Sequence, residues 1–236
     1  EPARLFFADH LRAALVILVV IHHLAVVYGE GMSFYYVEPP DRTSPTYLAL
    51  LIFVLLNQAW FMGALFLLAG YFTPGAYDRK GPGAYLIERL IRLGIPLLVW
   101  IFILNPITSI GFYLEPAPRA IGSFSWQVYP HLLGLGPLWF VALLLIFTIG
   151  YAAWRALSGT WSAPAPRGSS QPGYGALGAF IVALALASYL TRISIPLGRP
   201  VSLFAPFLGF PTFAYLPQYL SFFVLGAMAY RQDWLR

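Results

Sequence analysis

The sequence predicts an all-α fold, a polytopic transmembrane helical bundle with about six spans. Three observations predict it. Of 236 residues, 59% are hydrophobic and only 10% are charged. A typical soluble domain carries about 25% charged residues, so this chain lacks the polar surface to cover a water-facing globule. Apolar stretches also recur at lengths that suit membrane spans, which need roughly 20 residues each. Finally, the stretches are continuously apolar rather than alternating, which fits helices and excludes a barrel.

The first span covers residues 12–28 and follows Arg4 and Arg12. It has no small-residue cleavage site of the A-x-A kind, and two histidines interrupt it, so it reads as a retained helix rather than a signal peptide. The second covers residues 47–72. The third covers 89–113, and Pro96 inside it predicts a bend, because proline removes one backbone donor and crowds the preceding turn. The fourth covers 136–154. After the polar loop "SGTWSAPAPRGSSQPGYG" (158–175) comes the fifth, 174–190. The stretch 191–218 is apolar but holds five prolines, and it reads as a re-entrant or interfacial connection to the sixth span, 213–230. Together they make one integral-membrane domain over residues 1–236.

Lys/Arg placement orients the bundle. Arg4, Arg12, Arg79, Lys80, Arg89, Arg92, Arg155, Arg167, Arg231 and Arg236 fall on one side, against Arg42, Arg119, Arg192 and Arg199 on the other. The first set faces the cytoplasm, and so does the N-terminus. Glu30, Glu38, Asp41 and Glu115 leave the outer loops near neutral. The net charge is +5, yet no basic run with interleaved aromatics occurs, so nucleic acid is not an expected partner. The absence of cysteine rules out disulfides, thiolate metal sites, iron–sulfur clusters and a Cys nucleophile.

"DHLRAALVILVVIHH" (9–23) carries the first chemical signal. Arg12 and His23 are separated by close to three helical turns, so they project from nearly one face, roughly 16 Å apart along the axis. Asp9 can pair with Arg12 at the helix entrance, and His22 points about 100° away from His23. Ionisable groups inside the membrane are candidate functional sites, and imidazole can take and return a proton near neutral pH. "YLIERLIRLGIPLLVW" (85–100) carries the second. Arg89 and Arg92 are three apart on one helical face at the cytoplasmic end. Alone they read as positive-inside anchors. With Arg12 they form a cationic cluster suited to a phosphate-bearing cytosolic ligand, because the arginine fork matches phosphate.

These residues resemble the bacterial acyltransferase-3 family of integral membrane acyltransferases. That family is marked by Arg, ten residues, then His, which Arg12 and His23 fit, and by Arg-x-x-Arg before the third helix, which Arg89 and Arg92 fit. "GPLWFVALLLIF" (136–147) and "YLSFFVLGAMAYRQDW" (219–234) are similar to later family helices, and "HHLAVVYG" resembles the glucan-biosynthesis, succinyltransferase-like branch. The resemblance implies transfer of an acyl group from cytosolic acyl-CoA to a hydroxyl of an extracytoplasmic carbohydrate or cell-envelope glycan, in a bacterial inner membrane. It implies that Arg12, Arg89 and Arg92 hold the CoA phosphates. His23 then acts as general base or transient acyl carrier, and Asp9 and His22 support it. Acyl-CoA is the donor substrate; no bound cofactor and no metal are expected. The family usually has about ten spans, so six imply an N-terminal part.

Other features are weaker. "GYGALG" (173–178) matches G-x-G-x-x-G, but without a preceding strand it predicts close helix packing through small residues, not dinucleotide binding. His131 reads as a surface residue and Trp139 as a cavity-lining candidate. The alternative function is a proton- or anion-coupled transporter, with His23 as relay, Arg12 as anion site and the proline-broken 191–218 as binding segment. A non-catalytic scaffold is the third reading.

Overall fold

The computed structural model describes residues 6–30, 41–110, 113, 125–158, 171–203, 208–211 and 213–234. Arg4, Glu38, Glu115, Arg119, Arg167 and Arg236 of the charge count lie outside them, as does most of the 158–175 loop. Seven helical segments follow in order: α1 (Phe6–Ala25), α2 (Pro45–Gln58), α3 (Phe61–Lys80), α4 (Pro82–Ser109), α5 (Trp139–Ser158), α6 (Tyr174–Ser194) and α7 (Leu216–Arg231). Val201–Ser202 and Gly209–Phe210 form a two-residue antiparallel ladder in the connection between α6 and α7. The proline-rich stretch therefore holds a short hairpin, built where proline forbids a continuous helix.

Among the described residues, five helical stretches are long and apolar enough to cross a membrane: Phe6–Gly29, Pro45–Lys80, Pro82–Ser109, Trp126–Ser158 and Tyr174–Ser194. The sixth expected span, α7, is a 16-residue helix and is shorter than that. The apolar side chains lie outside as much as inside. Val16, Ile17, Val20, Ile21 and Leu24 of α1 are exposed, and α6 buries no residue at all. In water this arrangement would forfeit the hydrophobic effect; acyl chains make it neutral.

Two expected spans change shape. The second is not one helix over 47–72: it breaks at Ala59–Trp60, and α3 then runs on to Lys80. The residues between the expected second and third spans, 73–88, are the last turns of α3, the single residue Gly81 and the start of α4. Gly81 has φ +75°, a conformation that side chains resist, which is how one residue separates two helices. Ser44 caps α2, its Oγ accepting from the Tyr47 amide at 3.1 Å.

The third span answers its prolines with widened turns. A π-turn over Leu90–Gly94 directly precedes the segment holding Pro96, and another over Trp100–Leu104 precedes Pro106. Proline lacks the N–H and crowds the carbonyl four residues back; a wider turn relieves both.

The core sits around α3 and α7, which pack tightly together. Glycine makes this possible. A Cβ on Gly70 would overlap the Phe223 carbonyl, and one on Gly226 would overlap the Leu67 carbonyl. Small residues let helix backbones touch where no hydrophobic drive exists between helices in lipid. Tyr219, fully buried, then stacks on Phe66 at 5.0 Å and on Trp139 at 5.5 Å between ring centroids. By contrast, the "GYGALG" glycines do no packing: positions 173, 175 and 178 have open space where a Cβ would stand. They open α6, which lies against little but α7 and the turn before it, so the expected close packing there is overturned.

Candidate functional site

Two polar clusters lie at opposite ends of α3, one around histidine and one around arginine. The histidine cluster forms where α2 breaks from α3. His22 is buried, its ring 4.8 Å from that of Phe61, and its Nδ1 lies 3.4 Å from Asn57 Nδ2. The break leaves helix carbonyls without amide partners, and Gln218 of α7 donates to the Ala59 carbonyl at 2.7 Å. Apolar sequence alone does not signal this break; Asn57 and Gln58, two amides inside a hydrophobic run, are the available cue.

His23 is half-buried and stands edge-on to His22 at 5.8 Å. Its Nδ1 is 2.7 Å from the Val19 carbonyl. A carbonyl only accepts, so Nδ1 carries the proton, and in the neutral ring Nε2 holds the lone pair. For His22 the roles reverse. The Asn57 amide donates to Nδ1, so its proton sits on Nε2. Adjacent imidazoles thus present opposite faces of the same chemistry, one an acceptor and one a donor.

Arg12 lies on the α1 side nearest α3, its guanidinium 4.8 Å above the Phe72 ring. Its side chain is 51% exposed and pairs with Asp9 at 3.8 Å. The expected Asp9–Arg12 pair is therefore present as a long, exposed contact, of a kind that contributes about 0–1 kcal/mol.

Arg89 and Arg92 part company. Arg89 is half-buried, its guanidinium 5.2 Å from the Tyr85 ring. Arg92 is 69% exposed and bonds Glu88 at 3.1 Å, while Lys80 holds the other Glu88 oxygen. The π-turn starting at Leu90 lies between the two arginines and turns the chain through a smaller angle per residue than an α-helix, which moves Arg92 off the Arg89 face.

The structure adds three residues near Arg89 that the sequence marked only in the charge count or not at all. Asp78, at the end of α3, receives Arg231 through two bonds, Nη1 to Oδ2 at 2.7 Å and Nη2 to Oδ1 at 3.0 Å. Arg155 of α5 bonds the same Oδ1 at 3.0 Å. Tyr77 and Tyr85 stand edge to face at 5.5 Å, and Arg155 lies 5.5 Å from the Tyr77 ring. The cationic cluster at this end therefore comprises Arg89, Arg155 and Arg231 around tyrosines. Counting Lys and Arg per loop cannot distinguish a buried arginine from a solvated one. Among the described residues, no group of three or more His, Asp or Glu stands close enough to hold a metal. His131 is exposed and Trp139 is buried against Tyr219.

The model of one family, described as an acyltransferase domain, matches residues 5–236. The chain belongs to the acyltransferase-3 family. No curated protein and no solved structure matches it. This acyltransferase-3 protein is thus an acyltransferase by family and a membrane protein by its apolar helices.

Proposed function

We propose that this acyltransferase moves an acyl group from cytosolic acyl-CoA to a hydroxyl of an extracytoplasmic carbohydrate or cell-envelope glycan. It does so in the cytoplasmic membrane of a bacterium with its N-terminus inside, and His23 serves as general base. The observation that supports this most is the Nδ1 bond from His23 to the Val19 carbonyl, which leaves Nε2 as the basic nitrogen.

The steps balance without a cofactor. His23 Nε2 accepts the proton of the acceptor hydroxyl as its oxygen attacks the thioester carbonyl. The tetrahedral intermediate collapses, the C–S bond breaks, and the imidazolium returns the proton to the leaving thiolate. His22 Nε2–H is the nearby donor suited to the oxyanion. At the far end arginines hold the donor's phosphates. Phe61, beside His22, and Asp78 are roughly 25 Å apart along α3 at 1.5 Å per residue, a span that calls for an extended donor arm.

The test is acyl transfer by membranes carrying His23→Ala. A general base contributes about 100-fold to 10,000-fold, so turnover is expected to fall at least about 100-fold with insertion unchanged. Turnover equal to that of the parent protein would overturn the role of His23.

A further inference from the structure

The inner arginine cluster borders a cavity of about 470 Å³, lined by Tyr77, Asp78, Gly81, Pro82, Arg155, Tyr230 and Arg231. Its charge is unbalanced. Two guanidinium groups share one carboxylate, and the Arg155 and Arg231 side chains are only 8% and 9% exposed. Asp78 is 35% exposed, so it compensates them partly through water. Nε of both arginines is closed off from solvent and has no hydrogen-bond partner among the described residues. A buried cation left short of partners is costly, and strongly perturbed ionisable groups cluster at functional sites. With Nε closed off, an incoming anion would meet the terminal Nη groups.

The cavity's other features also favour an anion. The long helix α4 starts at Pro82, directly at the rim. Pro82 has no amide hydrogen, and the Gly81 and Tyr85 amides bond the Tyr77 and Gly81 carbonyls at 2.9 and 3.1 Å. The Gly83 and Ala84 amides are therefore the ones that can meet a ligand, and the helix dipole adds positive potential there. Gly81 and Gly83 leave open space where a Cβ would stand, so a ligand can approach the backbone. Arg231 meets Asp78 fork to fork and also bonds the Tyr151 hydroxyl at 3.2 Å, which fixes its plane. For Arg155 the contact with Asp78 at 3.0 Å uses one of its five donors.

We propose that Arg155 and Arg231, with the start of α4, form a binding site for a phosphate or diphosphate group at the inner end of the bundle. Asp78 acts as the residue that positions both arginines. The proposal depends on the acyl-CoA reading only for the identity of the natural ligand. The same chemistry would take the phosphate of a soluble donor or of an anionic lipid headgroup.

The test uses the whole chain in phosphatidylcholine nanodiscs, titrated with inorganic pyrophosphate by calorimetry. Saturable binding is expected, weakened at least tenfold in Arg155→Gln and in Arg231→Gln. Should either variant fail to fold, hydrogen exchange on the parent protein decides the question. Pyrophosphate should slow exchange over residues 77–85 and around Arg155 and Arg231. A second arm replaces a third of the lipid with phosphatidylglycerol. Slowed exchange there without pyrophosphate identifies the lipid headgroup as the source, and unchanged pyrophosphate binding identifies a soluble ligand. Absence of binding, or binding that leaves those segments and both variants unchanged, overturns the site. No readout involves turnover, so this result and that for His23→Ala are independent.

Discussion

Single residues set the chemistry at both ends of α3. The Asn57 amide lies 3.4 Å from the His22 ring nitrogen, and it is buried with it. Replacing it with leucine leaves a buried imidazole nitrogen without its donor, a loss of about 1–3 kcal/mol. Asn57→Leu should therefore lower the unfolding midpoint in detergent and free the His22 tautomer, which 15N NMR of the ring nitrogens would report. Outside the bilayer, Asp41 illustrates a smaller effect. The Thr43 hydroxyl, at 2.7 Å, and the Thr43 amide, at 3.0 Å, both donate to its carboxylate and hold its pKa below the ordinary value. Because the folded pKa is depressed, the associated stability is present above the unfolded pKa and is lost as pH falls through the folded one. Thr43→Val should raise the Asp41 midpoint in a carboxyl NMR titration.

Helices in this bundle are shaped by glycine and proline more than by side-chain volume. The α3–α7 crossing has backbone against backbone at Gly70 and Gly226, so a methyl group there has no flexible neighbour to displace. Gly226→Ala should cost about 1–3 kcal/mol through overpacking, measurable by unfolding in mixed micelles. Gly178→Ala, which faces open space on α6, should be neutral or slightly stabilising through helix propensity. In α4 the prolines produce the π-turns. Pro96→Ala restores a donor and is expected to tighten Leu90–Gly94 towards an α-helix, bringing Arg92 back towards the Arg89 face; slower amide exchange across residues 90–98 would register it.

Across the whole molecule, charge and hydropathy set topology. Arg155, Arg231, Arg89 and Lys80 gather at one end, while Arg42 and Asp41 stand between α1 and α2. Residues 1–236 hold no cysteine, so a single cysteine introduced among them can be read without background from this segment. Leu157→Cys, at an 88% exposed position near the end of α5, should resist a membrane-impermeant maleimide in intact cells. Arg42→Cys should react. The reverse labelling pattern would invert the bundle and place the arginine cavity outside.

The all-α membrane architecture was legible from composition and pattern together, because lipid admits only helices or closed barrels and the apolar runs do not alternate as barrel strands do. The family was legible from the spacing of Arg12 with His23 and Arg89 with Arg92. The break at Ala59–Trp60, the α3 continuation through Pro74 and the tautomers of His22 and His23 were not. Each depends on partners far along the chain, such as Gln218 for the Ala59 carbonyl and Asn57 for His22. Nor could periodicity single out Arg155 and Arg231 from the other arginines at that end of the bundle. Hydropathy decides which residues enter the bilayer. Only helix packing brings α3, α5 and α7 together so that two guanidinium groups share Asp78, because burial and pairing are properties of the assembled bundle and not of any one segment.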